Sequence, residues 1–62
     1  MKWNEIMIKL RGEKTIEEVT NDTGISPNTY EAFESGKKMP FDKVKEIIAN
    51  YFGVNVSDIW KE

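Results

Sequence analysis

Trp3, Ile6, Met7 and Leu10 recur at spacings of three and four along the start of the chain, which predicts an amphipathic helix with one apolar stripe toward a core. Ile8 falls off that stripe, and the helix should stop near Gly12. A second segment opens at Thr15, with Glu18 three residues on. This is the pattern of a capping box, in which the hydroxyl takes a free backbone N–H and the carboxylate reaches back to the N–H of the cap. Gly24 permits a left-handed turn that ends this segment, and Ile25 is expected to plug the angle beyond it. Ser26 and Pro27 then start a third helix, serine as cap and proline at the first helical position, where no N–H is needed. Tyr30 and Phe33 should point inward from it, leaving Asn28, Thr29, Glu31 and Ala32 toward its outer face.

Gly36 closes that helix, and Lys37, Lys38, Met39 and Pro40 read as a loop. Phe41, Val44, Ile47, Ile48, Tyr51 and Phe52 predict a fourth helix with the widest apolar face in the chain, ended by Gly53. Ser57 is expected to cap a last short turn carrying Ile59 and Trp60. The pattern therefore gives an all-α fold, a compact bundle of about five short helices forming one domain over residues 1–62. Two capped helices joined by a glycine turn, Thr15 to Ser35, make a helix-turn-helix, the unit that places its second helix in a DNA major groove.

Composition narrows the function. With 62 residues the chain is near the lower limit for independent folding, so pairing with a second copy would help it. Cysteine and histidine are absent, which excludes disulfides, thiolate or imidazole metal sites and histidine acid–base chemistry. The expectation is a non-enzyme with no cofactor and no metal. Carboxylate pairs such as Glu46 with Glu62, or Asp42 with Asp58, match no known ligand spacing, and each has a helix-start position or a nearby lysine to account for it. No apolar run approaches the roughly 18 residues of a membrane span, and the first residues lack a signal-peptide core, so a cytoplasmic protein is expected. The net charge of −2 and pI of about 5.1 argue against the basic footprint usual in a nucleic-acid binder. Charge is unevenly placed, with residues 1–14 at +2, 15–25 at −3, 26–40 at zero and 41–62 at −1. A basic rim could form from Lys9, Arg11, Lys14, Lys37 and Lys38.

Thr15 to Val19, Gly24-Ile25-Ser26, Glu34-Ser35-Gly36-Lys37, Pro40, and Val44 to Gly53-Val54 stand in the order and spacing of a known family. The chain resembles, over almost its whole length, the helix-turn-helix family of the phage Cro and repressor proteins, also called the xenobiotic-response-element type, with a lambda-repressor-like fold. There are departures. Ile16 stands where the family often has a glutamine that touches phosphate, and Pro27, Asn28, Thr29 and Ala32, with Glu31 beside them, fill positions where relatives commonly carry Gln, Arg or Ser. The connection from Arg11 to Thr15 is about two residues shorter than usual in the family and lacks its aliphatic residue before the cap.

The resemblance implies a sequence-specific regulator of Cro-like repressor type that occupies double-stranded operator DNA. Asn28 could make a bidentate contact to adenine, or could be a solvated first-turn residue. Thr29 could meet a phosphate or a thymine methyl, and Glu31 could accept from cytosine or repel the backbone. Lys37 and Lys38 could hold phosphate or neutralise a helix end, and both roles can coexist. Backbone N–H groups near Thr15 complete the expected DNA-facing set, with Pro27 and Ala32. Trp3 and Trp60 are first read as core. By resemblance, Val56, Ile59 and Trp60 are the candidates for a homodimer contact. The rival is a protein-binding module that keeps the fold and uses an acidic face to bind another transcription regulator, as an antirepressor would; Ile16, Glu31 and Ala32 favour it.

Overall fold

The computed structural model describes residues 1–61, which form five α-helices and, among the described residues, no strand. They are α1 (Trp3–Arg11), α2 (Ile16–Thr23), α3 (Pro27–Glu34), α4 (Asp42–Phe52) and α5 (Val56–Ile59). Three of these start on the residues that local chemistry selects. The Thr15 hydroxyl accepts the Glu18 N–H at 3.0 Å while the Thr15 N–H donates to the Glu18 carboxylate at 2.9 Å, closing the box at the head of α2. Ser26 caps α3, its hydroxyl accepting the Thr29 N–H, with Pro27 directly after it. At the head of α1 the Lys2 N–H donates to the Glu5 carboxylate at 3.0 Å. Gly24 sits at φ +79°, a left-handed conformation in which its N–H still reaches the Thr20 carbonyl, so the chain leaves α2 sharply and re-enters a helix three residues later.

Every helix contributes to one core: Met7 from α1, Val19 from α2, Tyr30 and Phe33 from α3, Ile48 and Ala49 from α4, and Ile59 from α5, with Trp60 just beyond it. Trp3, Ile6 and Leu10 pack against this cluster and Ile8 is exposed, as the α1 stripe requires. Three sequence expectations need correction. Phe41 is 77% exposed, because it occupies the extended position before α4 begins and so never joins the stripe set by Val44, Ile48 and Tyr51. Ile47, on the edge of that stripe, is also exposed. The cap of α5 is Asn55 rather than Ser57: the Asn55 N–H donates to the Asp58 carboxylate at 2.9 Å, and Ser57 lies inside the helix. Among the described residues no helix is long and apolar enough to cross a membrane.

Candidate nucleic-acid interface

The exposed side of α3 is built by subtraction. Tyr30 and Phe33 are spent on the core, and Glu34 is drawn under α1, so Asn28, Glu31 and Ala32 are left on the other side. These three, with Ser35 and Lys37, line one hollow of about 260 Å³. Four of the eight residues expected to face DNA, Asn28, Glu31, Ala32 and Lys37, thus share a surface feature. Ser35 joins them and was not anticipated; as a helix-ending residue one turn after Glu31, its placement follows from the same periodicity.

The loop that carries the lysines folds back on the end of α3. The Ala32 carbonyl accepts the Lys37 N–H at 3.0 Å, the Lys38 N–H at 3.3 Å and the Ser35 hydroxyl at 3.1 Å. Gly36 makes this reversal at φ +78°, against Asn4, whose Nδ2 would lie 3.2 Å from an added Cβ. Lys37 and Lys38 are both exposed. Pro27, Thr29, Lys38 and Thr15 lie outside the hollow. Pro27 is exposed, Thr29 is half-buried beside its cap, and the Thr15 hydroxyl is committed to the capping box. What the start of α2 offers a ligand is therefore backbone, the N–H groups of Ile16 and Glu17, since that of Glu18 is bonded to the Thr15 hydroxyl, with the Glu17 and Glu18 side chains exposed around them.

Sequence reasoning missed what holds α3 in place. The Arg11 guanidinium donates from Nε to Glu34 Oε2 at 2.8 Å and from Nη2 to Oε1 at 3.1 Å, a two-pronged pair across 23 residues of chain. Its third arm, Nη1, donates to the Lys14 carbonyl at 2.7 Å, in the turn that leads into α2. One side chain thus links the end of α1 to the approach of α2 and the end of α3. Hydrogen bonding to Glu34 raises the Arg11 pKa further above its usual range, more than partial burial lowers it. Asn4 adds a bond from Nδ2 to the Glu34 carbonyl at 3.1 Å. Arg11 is removed from the expected basic rim by this pairing. Lys14 has its Nζ 5.8 Å from the centroid of the Tyr51 ring, while the Tyr51 hydroxyl donates to Asp22 at 2.7 Å and ties α4 to α2. Lys9, Lys14, Lys37 and Lys38 remain as exposed cations of that set, Lys14 beside the Tyr51 ring.

Of the residues expected at a dimer contact, Ile59 and Trp60 are 2% and 7% exposed in the single chain, so the bundle itself has used their apolar surface. Val56 is half-buried and keeps some. Glu62 lies outside the described residues.

No family model and no solved structure matches the chain. It is similar to a phage repressor. The cryptic phage CTXphi transcriptional repressor RstR of Vibrio cholerae is 36% identical over 52 residues, covering 81% of this chain and 47% of that protein. An alignment spanning 81% of a 62-residue chain necessarily runs across α2, its turn and α3. The chain spans about half the length of that curated relative.

Proposed function

We propose that this chain is a helix-turn-helix DNA-binding transcriptional regulator of the Cro-like repressor type, acting in the cytoplasm as a homodimer on operator DNA. The observation that carries the proposal is the shared hollow on α3, where Asn28, Ala32 and Lys37 stand together beside the Lys38 loop on the side the core does not use. Similarity to a phage repressor across the same segment supports it. In this reading Asn28 and Thr29 meet base edges, since first-turn residues of a recognition helix are the ones that reach them. Lys37, Lys38 and the N–H groups opening α2 hold phosphates, which position the protein without carrying sequence information. Repression follows from occupying a promoter that the transcription machinery needs.

One observation favours a different partner. Glu31 is exposed inside the same hollow, and the segment 15–25 carries −3, so part of the face would repel a phosphate backbone. A protein-binding antirepressor would use that charge to meet a basic regulator. A salt titration against genomic DNA fragments separates the two. DNA binding predicts a preferred fragment whose affinity falls steeply with salt, with Lys38→Ala reducing the log–log slope by about 0.9 per subunit and lowering affinity on all sequences alike. Asn28→Ala should instead change which sequences a randomised-site selection recovers. No preferred fragment at low salt would favour the antirepressor.

A further inference from the structure

A second hollow, of about 360 Å³, lies where α1, the loop after α3 and the end of α5 meet, and it shares no residue with the α3 hollow. Its apolar wall is aromatic: the rings of Trp3 and Trp60 stand 6.2 Å apart, tilted by 32°, with Ile59 beside them. Lys2, Lys45 and Lys61 surround that wall, and no carboxylate lines it among the described residues. Three lysines and, among the described residues, no carboxylate in the lining favour a positive potential over a partly apolar surface. Lys45 is held over the site, its Nζ 5.6 Å from the centroid of the Trp60 ring. Its carboxylate neighbour, Asp42 at 3.9 Å, is fully solvent-exposed, so that pair is weak and leaves most of the charge available.

This combination is the inverse of the α3 hollow, which mixes Asn, Glu and Lys on a polar surface. The half-buried Trp3 ring and the exposed Met1 and Met39 leave apolar surface for a flat or aliphatic body above the buried Trp60, and the lysines accept one negative group at its end. The size falls at the low end of the range for small-molecule sites, too small for a folded partner. We infer that this hollow binds a small amphipathic carboxylate, its apolar body against Trp3, Met1 and Met39 and its carboxylate among Lys2, Lys45 and Lys61. The site does not depend on the chain binding DNA.

Both tryptophans of the chain line the hollow, so intrinsic fluorescence reports on it directly. The test titrates the full chain with phenylbutyrate and, in parallel, with the uncharged phenylbutanol. A saturable change is expected, with the carboxylate bound at least about tenfold tighter than the alcohol and the gap narrowing as salt screens the lysines. Lys2 and Lys61 are exposed, so the double variant Lys2→Gln with Lys61→Gln should keep the helical circular dichroism of the wild type. It should bind the carboxylate about fivefold or more weakly and the alcohol unchanged. Equal affinity for carboxylate and alcohol, no saturable signal, or an unaffected double variant would each overturn the inference. A tryptophan signal that moves with protein concentration alone would do so too, by showing that a second copy of the chain fills the hollow.

Discussion

Removing the Arg11 head group, as in Arg11→Met, tests whether one side chain fixes the relation of α1, α2 and α3. The substitution keeps much of the side-chain stem and deletes both bonds to Glu34 and the one to the Lys14 carbonyl. Glu34 is then left with a carboxylate whose side chain is 8% exposed. Breaking a fully buried ion pair from one side costs about 3–5 kcal/mol, because the remaining charge has lost its partner but not its desolvation. Arg11 is 20% exposed, so water can enter where it stood, and a discounted cost of about 2–3 kcal/mol is the better expectation. A domain of this length is stable by only about 3–9 kcal/mol, so Arg11→Met should lose a large fraction of it. Urea unfolding of Arg11→Met, Glu34→Gln and the double variant, followed by circular dichroism, gives the coupling directly. Coupling of about 2 kcal/mol is expected. Replacing both residues with leucine should recover most of the loss, since an apolar pair leaves no charge to desolvate. A coupling below about 0.5 kcal/mol would place the pair with ordinary surface ion pairs and refute the argument that it holds α3.

Tyr30 supplies a pH test. Its hydroxyl is buried with no hydrogen-bond partner among the described residues, and burial, then the nearby Glu34 charge, raise its pKa above the ordinary tyrosine range. A folded pKa above the unfolded value of about 10 means that its contribution to stability is fully present below that pH and is lost as pH rises through the folded pKa. Tyr30→Phe should therefore be neutral or stabilising at pH 7 and should flatten the alkaline limb of a stability–pH profile; a loss of about 1 kcal/mol at pH 7 would instead reveal a bond from the hydroxyl to Glu34. Some alkaline slope should survive in that variant, because hydrogen bonding to Asp22 raises the Tyr51 pKa as well. Gly36→Ala should cost about 1–2 kcal/mol in thermal or urea unfolding through the positive φ, and pairing it with Asn4→Ala, which removes the 3.2 Å contact, should not restore the loss. For assembly, sedimentation of wild type and Val56→Lys should show a dimer that the lysine splits without unfolding, and an operator with inverted half-sites about 34 Å apart; a monomer both free and on asymmetric DNA would end the dimer proposal.

The elements that were legible in the sequence are those written within four residues of themselves. The Thr15–Glu18 box, the Ser26-Pro27 start and the Gly24 stop each involve a side chain and a backbone group one turn apart, so residue type and spacing are enough to place them. The inward pair Tyr30 and Phe33 follows from helical period alone. Phe41 shows where periodicity misleads, because a stripe has meaning only once the helix has begun, and the chain there is still extended. The Arg11–Glu34 pair was not legible, because nothing local marks two charges 23 residues apart as partners. A signal existed nonetheless: Glu34 follows Tyr30 by four residues and Phe33 by one, which places a carboxylate toward the core side of α3, and a carboxylate there requires a cation.

That pairing changes how the charges of the chain are to be counted. A sum over all residues gives −2 and suggests a surface indifferent or hostile to DNA. The fold, however, takes Arg11 and Glu34 out together and holds Asp22 against the Tyr51 hydroxyl. Lys45 is placed over Trp60, on the hollow away from α3. The Arg11–Glu34 pair adds little to the field that an approaching partner meets, while Glu17 and Glu18 cluster at the head of α2 and Lys37 and Lys38 in the loop after α3. Glu31 is the residue on which the two partner readings divide, since it alone places an unpaired negative charge among Asn28, Ala32 and Lys37. Glu31→Gln removes that charge while keeping shape and hydrogen-bonding reach. If the face binds DNA and Glu31 repels the backbone, the variant should bind every fragment more tightly, by about fivefold for one like-charge contact removed near the surface. If Glu31 accepts from a cytosine, the variant should lose preference at one base pair by about 1–3 kcal/mol. If the face binds a basic protein, Glu31→Gln should weaken that complex and create no DNA affinity. A randomised-site selection with a matched salt series distinguishes the first two outcomes, and unchanged DNA affinity with unchanged preference would remove Glu31 from the interface altogether.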